Sequence, residues 1–250
     1  MHHHDHALAI AERLAAEHAP AALGIGLFGS VAAGTDHPHS DIDLILAADS
    51  DTDNDTGTGT AVVQSEGRMA TLTRKTPDDL EAAFTRPWEA VTAVAAWRGA
   101  RLLHDPDGTM ARLQARAHAW TWDQIPDADH WAASELVGLA EEVHKVHGML
   151  ATGRDRAAAA NRAILALQLA TPLAAAHRLT CGSENDLWDA VAAAEGPAWA
   201  RAWDTATGVA PADHATGCRA ALDLYRIAAD RLAGHLDAAD RVIVTTARDL

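Results

Sequence analysis

Two aspartates stand where a buried strand would normally carry apolar side chains. The segment DIDLILAA, residues 41–48, alternates Asp41 and Asp43 with apolar residues, so a strand here would place both carboxylates on one face. A carboxylate that leaves water without gaining a partner costs several kcal/mol of folding free energy. This face must therefore be exposed to solvent, or a cation must lie against it.

A glycine turn lies just upstream of these aspartates. The apolar run ALGIGLFG predicts a buried strand that ends in a turn at Gly29 and Ser30, and ten residues separate Ser30 from Asp41. Glycine leaves room for backbone N–H groups and the Ser30 hydroxyl to reach phosphate oxygens. Two carboxylates at i and i+2 can share a hard divalent cation such as Mg²⁺. Together the two segments predict adjacent binding of a metal and a phosphate.

The chain changes character near Pro126. Before it, a predicted helix over residues 6–19, short strands and a hairpin around Ser65–Gly67 indicate a mixed α/β half. After it, alanine-rich segments with a helical period, broken at glycines and prolines, indicate a helical bundle. We therefore predict two domains, residues 1–125 and 126–250.

The charge balance excludes some partners. The chain has 35 acidic and 20 basic residues, a formal net charge of −15, which repels nucleic acids and anionic membranes and attracts a cationic small molecule. A negative net charge also keeps a protein soluble, and this is the simpler interpretation of the acidic composition. The chain has no signal-peptide pattern and no apolar run of about eighteen residues, so we expect a cytoplasmic protein without a nucleic acid or membrane partner.

Other segments carry metal-binding residue types without the spacing of a metal site. Histidines at positions 2, 3, 4 and 6 lie at a terminus that we expect to be disordered. The acidic segment DSDTDNDTGTGT, residues 49–60, lacks the glycine and glutamate of a calcium loop, so a solvated hairpin tip is the favoured interpretation and calcium the alternative. Cys181 and Cys218 have no CxxC spacing and are expected to be buried thiols.

The glycine turn and the aspartate strand together resemble the signature of a known enzyme superfamily. Nucleotidyltransferases related to DNA polymerase β carry Gly-Ser, a spacer and then Asp-x-Asp or Asp-x-Glu within a strand, matched here by Gly29, Ser30, Asp41 and Asp43. The length, the helical second half and the segment FGS…TDHPHSDIDL look most like the kanamycin and aminoglycoside nucleotidyltransferases. The resemblance implies an α+β fold, with a small mixed β-sheet and flanking helices followed by an up-and-down helical bundle.

The resemblance also implies an activity and its acceptor. Such enzymes transfer AMP or another nucleotide from an NTP to an antibiotic hydroxyl and release pyrophosphate. By this resemblance Asp41 and Asp43 are catalytic Mg²⁺ ligands, while Gly29 and Ser30 contact the nucleotide. A cationic aminoglycoside suits the acidic chain, and a homodimer is a further expectation. The acidic residues that we expect to favour such an acceptor include Asp36, Asp49, Asp51 and Glu135.

A second candidate site lies in the helix predicted to begin near Trp131. Its apolar stripe includes Leu136, Leu139 and Val143, which leaves Glu141 and Lys145 on the opposite side. The resemblance implies that Glu141 takes the proton from the acceptor hydroxyl and that Lys145 meets the nucleotide phosphates. The alternative is a helix-stabilising i, i+4 pair without catalytic function. Two further acids, Glu142 and Glu135, share another face of this helix and compete for the role of the base.

One departure from the superfamily pattern leaves other functions open. A third carboxylate normally comes from a following strand, where this chain has Thr71 and Thr73. Glu66, Asp78 or Asp79 are the candidate substitutes. An inactive nucleotide-binding module, or a protein AMP transferase of a toxin–antitoxin system, are the alternative functions. The eight tryptophans, Trp88 and Trp97 among them, are expected to be core residues, with a pocket lining as the alternative.

Overall fold

The computed structural model describes residues 3–49 and 59–250 of the chain. The acidic segment 49–60, with its calcium alternative, therefore falls almost wholly outside the described residues. In the part of the chain that is described, every helix is too short or too polar to cross a lipid bilayer.

The first of two compact units contains Met1–Gln124 and Thr180–Glu184. Its elements are α1 (His3–His18), β1 (Gly24–Phe28), α2 (Gly29–Ala33), β2 (Ile42–Ala47), β3 (Gly59–Ser65), β4 (Arg68–Lys75), α3 (Pro77–Ala82), α4 (Pro87–Gly99), β5 (Arg101–His104) and α5 (Thr109–Ala119). The described strands form one five-stranded sheet in the order β3-β4-β2-β1-β5. Within it β2 and β4 run parallel, and the other described neighbours pair antiparallel.

Helix α1 packs on one face of this sheet. The core between them includes Ile10, Leu14, Ile25, Leu27, Ile42, Leu44, Leu46, Ala70 and Leu72. Because side chains alternate along a strand, Phe28 of β1 and Asp43 of β2 lie on the opposite face. There Phe28 packs edge-on against Trp97 of α4, with the ring centroids 4.9 Å apart. The sheet thus has an apolar face under α1 and a second face that carries a candidate metal ligand.

The histidines near the start of the chain are ordered from His3 onward. The ring of His4 hydrogen-bonds through Nδ1 to Oδ1 of Asp36 at 2.5 Å, and Nε2 of His3 donates to the backbone carbonyl of Asp36 at 2.8 Å. His6 lies 3.8 Å from the carboxylate of Glu66 at the β3–β4 turn. Acceptors from two loops therefore hold the first turn of α1, and the expectation of a disordered terminus is wrong for these residues.

The second unit, Ile125–Leu179 with Asn185–Leu250, consists mainly of helices. They are α6 (Ala128–Ala151), α7 (Asp155–Gln168), α8 (Ala170–Ala176), α9 (Leu187–Glu195), α10 (Pro197–Thr207), α11 (His214–Leu232) and α12 (Ala238–Arg248). At its centre the hydroxyl of Tyr225 donates to the backbone carbonyl of Leu136 at 2.8 Å, and burial raises the pKa of that hydroxyl. A mixed sheet with flanking helices followed by many helices confirms the α+β class.

Candidate active site

The predicted phosphate turn and the strand that carries Asp43 are neighbours in the sheet. Strands β1 and β2 pair so that Phe28 lies opposite Asp43, which brings Gly29 to the same end of the sheet. Gly29 has φ +66°, in the left-handed region that residues with a Cβ atom rarely adopt. A Cβ atom added at Gly29 would also overlap Oδ2 of Asp43. The positive φ favours glycine here, and the absence of a Cβ atom leaves room for the Asp43 carboxylate to lie against the turn.

Replacing Gly29 with alanine tests this close approach, and Gly34 provides a matched control. Gly34 has φ +71°, but a Cβ atom there would meet nothing within 4 Å. We expect Gly34→Ala to lower the free energy of unfolding by about 1 to 2 kcal/mol through backbone strain alone. Gly29→Ala should cost a further 1 to 3 kcal/mol, roughly, because overlap with Asp43 is added. Urea denaturation measures both, and equal losses would contradict the proposed contact.

The two aspartates differ from a pair of ordinary surface carboxylates. Asp41 lies one residue before β2, which begins at Ile42, and both carboxylates are partly buried. Burial, and after it the charge of Asp41, raises the pKa of Asp43 to about 6. Because the charge of Asp41 disfavours the ionised form of Asp43, a cation bound beside the two carboxylates would be favoured.

The donor set at this place fits a magnesium ion that is completed by substrate. Within residues 3–49 and 59–250, no cluster of three or more His, Cys, Asp or Glu side chains is arranged to hold a metal. Mg²⁺ in nucleotide enzymes commonly takes only one or two protein carboxylates, and phosphate and water oxygens supply the remaining ligands. Asp41 and Asp43 could hold such an ion, whereas a closed, all-protein metal site is not formed by the described side chains.

Comparison with known proteins found a similarity of sequence and one of fold. The family model described as "Nucleotidyltransferase domain" matches residues 10–93. Residues 10–93 are thus similar to a nucleotidyltransferase domain. A crystal structure of a nucleotidyltransferase-like protein from Exiguobacterium sibiricum 255-15 has a similar fold, with a TM-score of 0.51 and 11% sequence identity over 89% of this chain and 74% of that one. A search of curated proteins found no match.

The region that matches the family model has a threonine beside Asp43. Strands β2 and β4 pair in parallel with Asp43 opposite Thr71, so Thr71 occupies the neighbouring strand at the level of the aspartate. The candidate substitute Glu66 is bound elsewhere, because its carboxylate contacts Arg13 of α1. Asp79 accepts a hydrogen bond from the Thr76 hydroxyl at 2.8 Å, at the start of α3. The strand next to Asp43 thus offers a hydroxyl group where a third acid was expected.

An open cleft of about 390 Å³ lies on the same face of the domain as Asp43. We call it the aromatic cleft; its lining includes Phe28, Ile45, Lys75, Trp88, Glu89, Thr92, Ala93, Ala96, Trp97 and Glu184. The sequence predicts that Trp88 and Trp97 are core residues, with a pocket lining as the alternative. Trp97 is buried as expected, whereas Trp88 is 49% exposed. The sequence feature that indicates this cleft is the group of small residues on α4. Small side chains there leave space against the larger side chains of β1 and β2.

The other two predicted site residues, Glu141 and Lys145, lie on α6 in the second unit. Nζ of Lys145 is 2.9 Å from Oε1 of Glu141 and 3.2 Å from Oε1 of Glu142. Hydrogen bonds to Glu141 and then to Glu142 raise the pKa of Lys145. Glu141 is well exposed and Glu142 is mostly buried, while the competing acid Glu135 is exposed. Lys145 therefore forms ion pairs with both Glu141 and Glu142.

Proposed function

We propose that this protein transfers a nucleoside monophosphate, most simply AMP, from an NTP to a hydroxyl group of a small molecule and releases pyrophosphate. The single observation that carries the proposal is the contact between the Gly29 turn and the Asp43 carboxylate, within residues that match a nucleotidyltransferase domain. Nucleotidyl transfer requires two parts in one place: a turn that binds phosphate and carboxylates that bind a metal cation.

Each residue of the first unit has a defined task in this proposal. The backbone N–H groups at Gly29 and Ser30, with the Ser30 hydroxyl, bind phosphate oxygens. Asp41 and Asp43 would hold Mg²⁺, which when bound offsets the charge of the phosphates and of the departing pyrophosphate. The acceptor oxygen bonds to the α-phosphorus as the bond from that phosphorus to the bridging oxygen of pyrophosphate breaks. The residues act by orienting the phosphates and fixing charge, because no covalent enzyme intermediate is needed.

Glu141 and Lys145 receive their roles from the resemblance to aminoglycoside nucleotidyltransferases. We assign Glu141 as the base that takes the proton of the acceptor hydroxyl, and Lys145 as a further phosphate contact. The exposure of Glu141 suits a group that must meet a substrate, and the second glutamate on Lys145 makes Glu142 the competing base. Comparing Glu141→Gln with Glu142→Gln separates the two assignments.

We propose a cationic, hydroxylated acceptor such as an aminoglycoside. The net charge of −15 supports it, because a negative field raises the encounter rate of a polycation. Asp36, one of the acids expected to contribute, does not present a free charge, because its carboxylate is buried and paired with His4 and Arg68. Asp49 and Glu135 are exposed, and Asp51 lies outside the described residues. A cytoplasmic homodimer is part of the same proposal.

Pyrophosphate release tests the proposed transfer directly. The protein is incubated with Mg²⁺, each of the common NTPs and a panel of aminoglycosides, lincosamides and other hydroxylated molecules. We expect release with at least one pair, and a loss of about 1,000-fold or more in Asp41→Asn and Asp43→Asn, because each removes a charge that the phosphates require. Circular dichroism checks that both variants remain folded. Retained turnover in both variants would overturn the proposed mechanism.

An inactive nucleotide-binding module is the second candidate, and Thr71 is the observation that favours it. With a hydroxyl beside Asp43, the domain has fewer carboxylates for a metal than the superfamily pattern. Such a module would bind Mg²⁺ and an NTP in calorimetry while releasing no pyrophosphate with any acceptor. The same panel therefore distinguishes the two functions.

A further inference from the structure

Two residues in the wall of the aromatic cleft are neighbours of Asp43 in the sheet. Its wall includes Phe28, which pairs with Asp43 across the β1–β2 ladder, and Ile45, two residues along β2 on the same face. Paired residues of neighbouring antiparallel strands lie about 5 Å apart, and two residues along a strand span about 7 Å. A group bound at this end of the cleft would therefore lie within about 5 to 10 Å of Asp43.

The lining of the cleft is mostly apolar, which suits an aromatic ring. On one side α4 presents the small side chains of Thr92, Ala93 and Ala96, and on the other side the sheet presents Phe28 and Ile45. The nearby indole of Trp88 is 49% exposed, which is unusual for so large an apolar group. Aromatic side chains of this kind stack on nucleobases of any identity, because every base has a π-face.

The charges around the cleft do not favour a polycation. Lys75 and Glu89 lie 3.9 Å apart, and Arg86 donates to the Glu89 carboxylate at 2.7 Å, so this acid is already neutralised by basic neighbours. Glu184 is the remaining carboxylate in the described lining. A neutral aromatic group attached to an anionic phosphate chain fits these surroundings better than an aminoglycoside.

We infer that the aromatic cleft binds the nucleobase of the NTP, with Trp88 stacking on the base. This inference rests on the proposed function, because it takes the α-phosphate to lie at Asp41 and Asp43. It makes Trp88 a substrate-binding residue and assigns the cleft to the nucleotide rather than to the acceptor.

Binding of ATP and of inorganic tripolyphosphate, each with Mg²⁺, tests the inference in calorimetry. Trp88→Ala should weaken ATP binding by about 5- to 150-fold, the range of one lost stacking contact, and leave tripolyphosphate binding unchanged because that probe has no base. Trp88→Phe retains a ring and should recover most of the ATP affinity. Val62→Ala, at another exposed apolar side chain of the same sheet, is the control and should change neither.

The outcomes separate this inference from the proposed function. If the unaltered protein binds neither ATP nor tripolyphosphate, the proposed function fails and the inference falls with it. If both bind and Trp88→Ala leaves ATP affinity unchanged, the nucleobase assignment alone is overturned. An increase in the acceptor KM of Trp88→Ala at unchanged ATP affinity would assign the cleft to the acceptor instead.

Discussion

Asp43→Asn is expected to abolish nucleotidyl transfer while stabilising the metal-free protein. Burial and the nearby charge of Asp41 raise the pKa of Asp43 to about 6, so the folded protein disfavours the ionised carboxylate at neutral pH. Asparagine has a similar shape and no charge, and it removes this penalty. We expect a gain of about 1 to 2 kcal/mol in the free energy of unfolding at pH 8, after allowing for solvent that screens a partly exposed group.

The pH dependence of this gain follows from the sign of the pKa shift. A carboxyl group whose pKa is higher in the folded state than its ordinary value of 3.8 destabilises the fold fully above about pH 6. The penalty disappears as pH falls below the ordinary value, where the group is protonated in both states. Urea denaturation in EDTA should therefore show the variant more stable at pH 8 and equal to the unaltered protein near pH 3.

A control and a metal titration complete this experiment. Asp49→Asn changes an exposed carboxylate just beyond β2 and should leave stability unchanged. Adding Mg²⁺ with tripolyphosphate should stabilise the unaltered protein and not Asp43→Asn, because a ligand that binds only the folded state adds to stability. A variant that is less stable than the unaltered protein at pH 8 in EDTA would show that Asp43 mainly supports the fold.

The part of the site that the sequence could predict is the part that depends on local pattern. Alternation in DIDLILAA and the glycine after an apolar run are short-range features. The two strands, the Gly29 turn and the position of Asp43 on the face opposite Ile42 and Leu44 follow from them. The match of residues 10–93 to a nucleotidyltransferase domain supports nucleotidyl transfer, the general part of the predicted function. Closeness to the kanamycin enzymes, the Mg²⁺ ion and the roles of Glu141 and Lys145 stay predictions.

The features of the site that the sequence could not predict depend on contacts between segments that are distant in the chain. The parallel pairing of β2 with β4 sets Thr71 level with Asp43, and no feature of either strand alone determines that register. The aromatic cleft requires α4 to pack near β1 and β2, so the exposure of Trp88 could not be separated from core burial in advance. The burial of Asp36 depends on residues more than thirty positions away, at His3 and His4.

Asp36 lies in the loop between the Gly29 turn and Asp41, and replacing it is expected to have a large effect on stability. Its side chain is 1% exposed, hydrogen-bonds to His4, and lies 3.6 Å from Nη2 of Arg68, whose side chain is 7% exposed. Burial raises the pKa of Asp36, but His4, His3 and Arg68 together outweigh it and hold that pKa below its ordinary value. The pairing therefore stabilises the protein at neutral pH, and this contribution is lost as the pH falls below about 4.

Asp36→Ala should lower the free energy of unfolding at pH 7 by about 3 to 5 kcal/mol, because it leaves the Arg68 guanidinium buried without its counter-charge. Arg68→Ala alone should cost a similar amount for the converse reason. The double variant has no unpaired charge, so its loss should be clearly smaller than the sum of the two single losses. Urea denaturation of the four proteins measures this difference. Additive losses would mean that the histidines of α1, and not Arg68, hold the Asp36 carboxylate, and that the ion pair contributes nothing of its own.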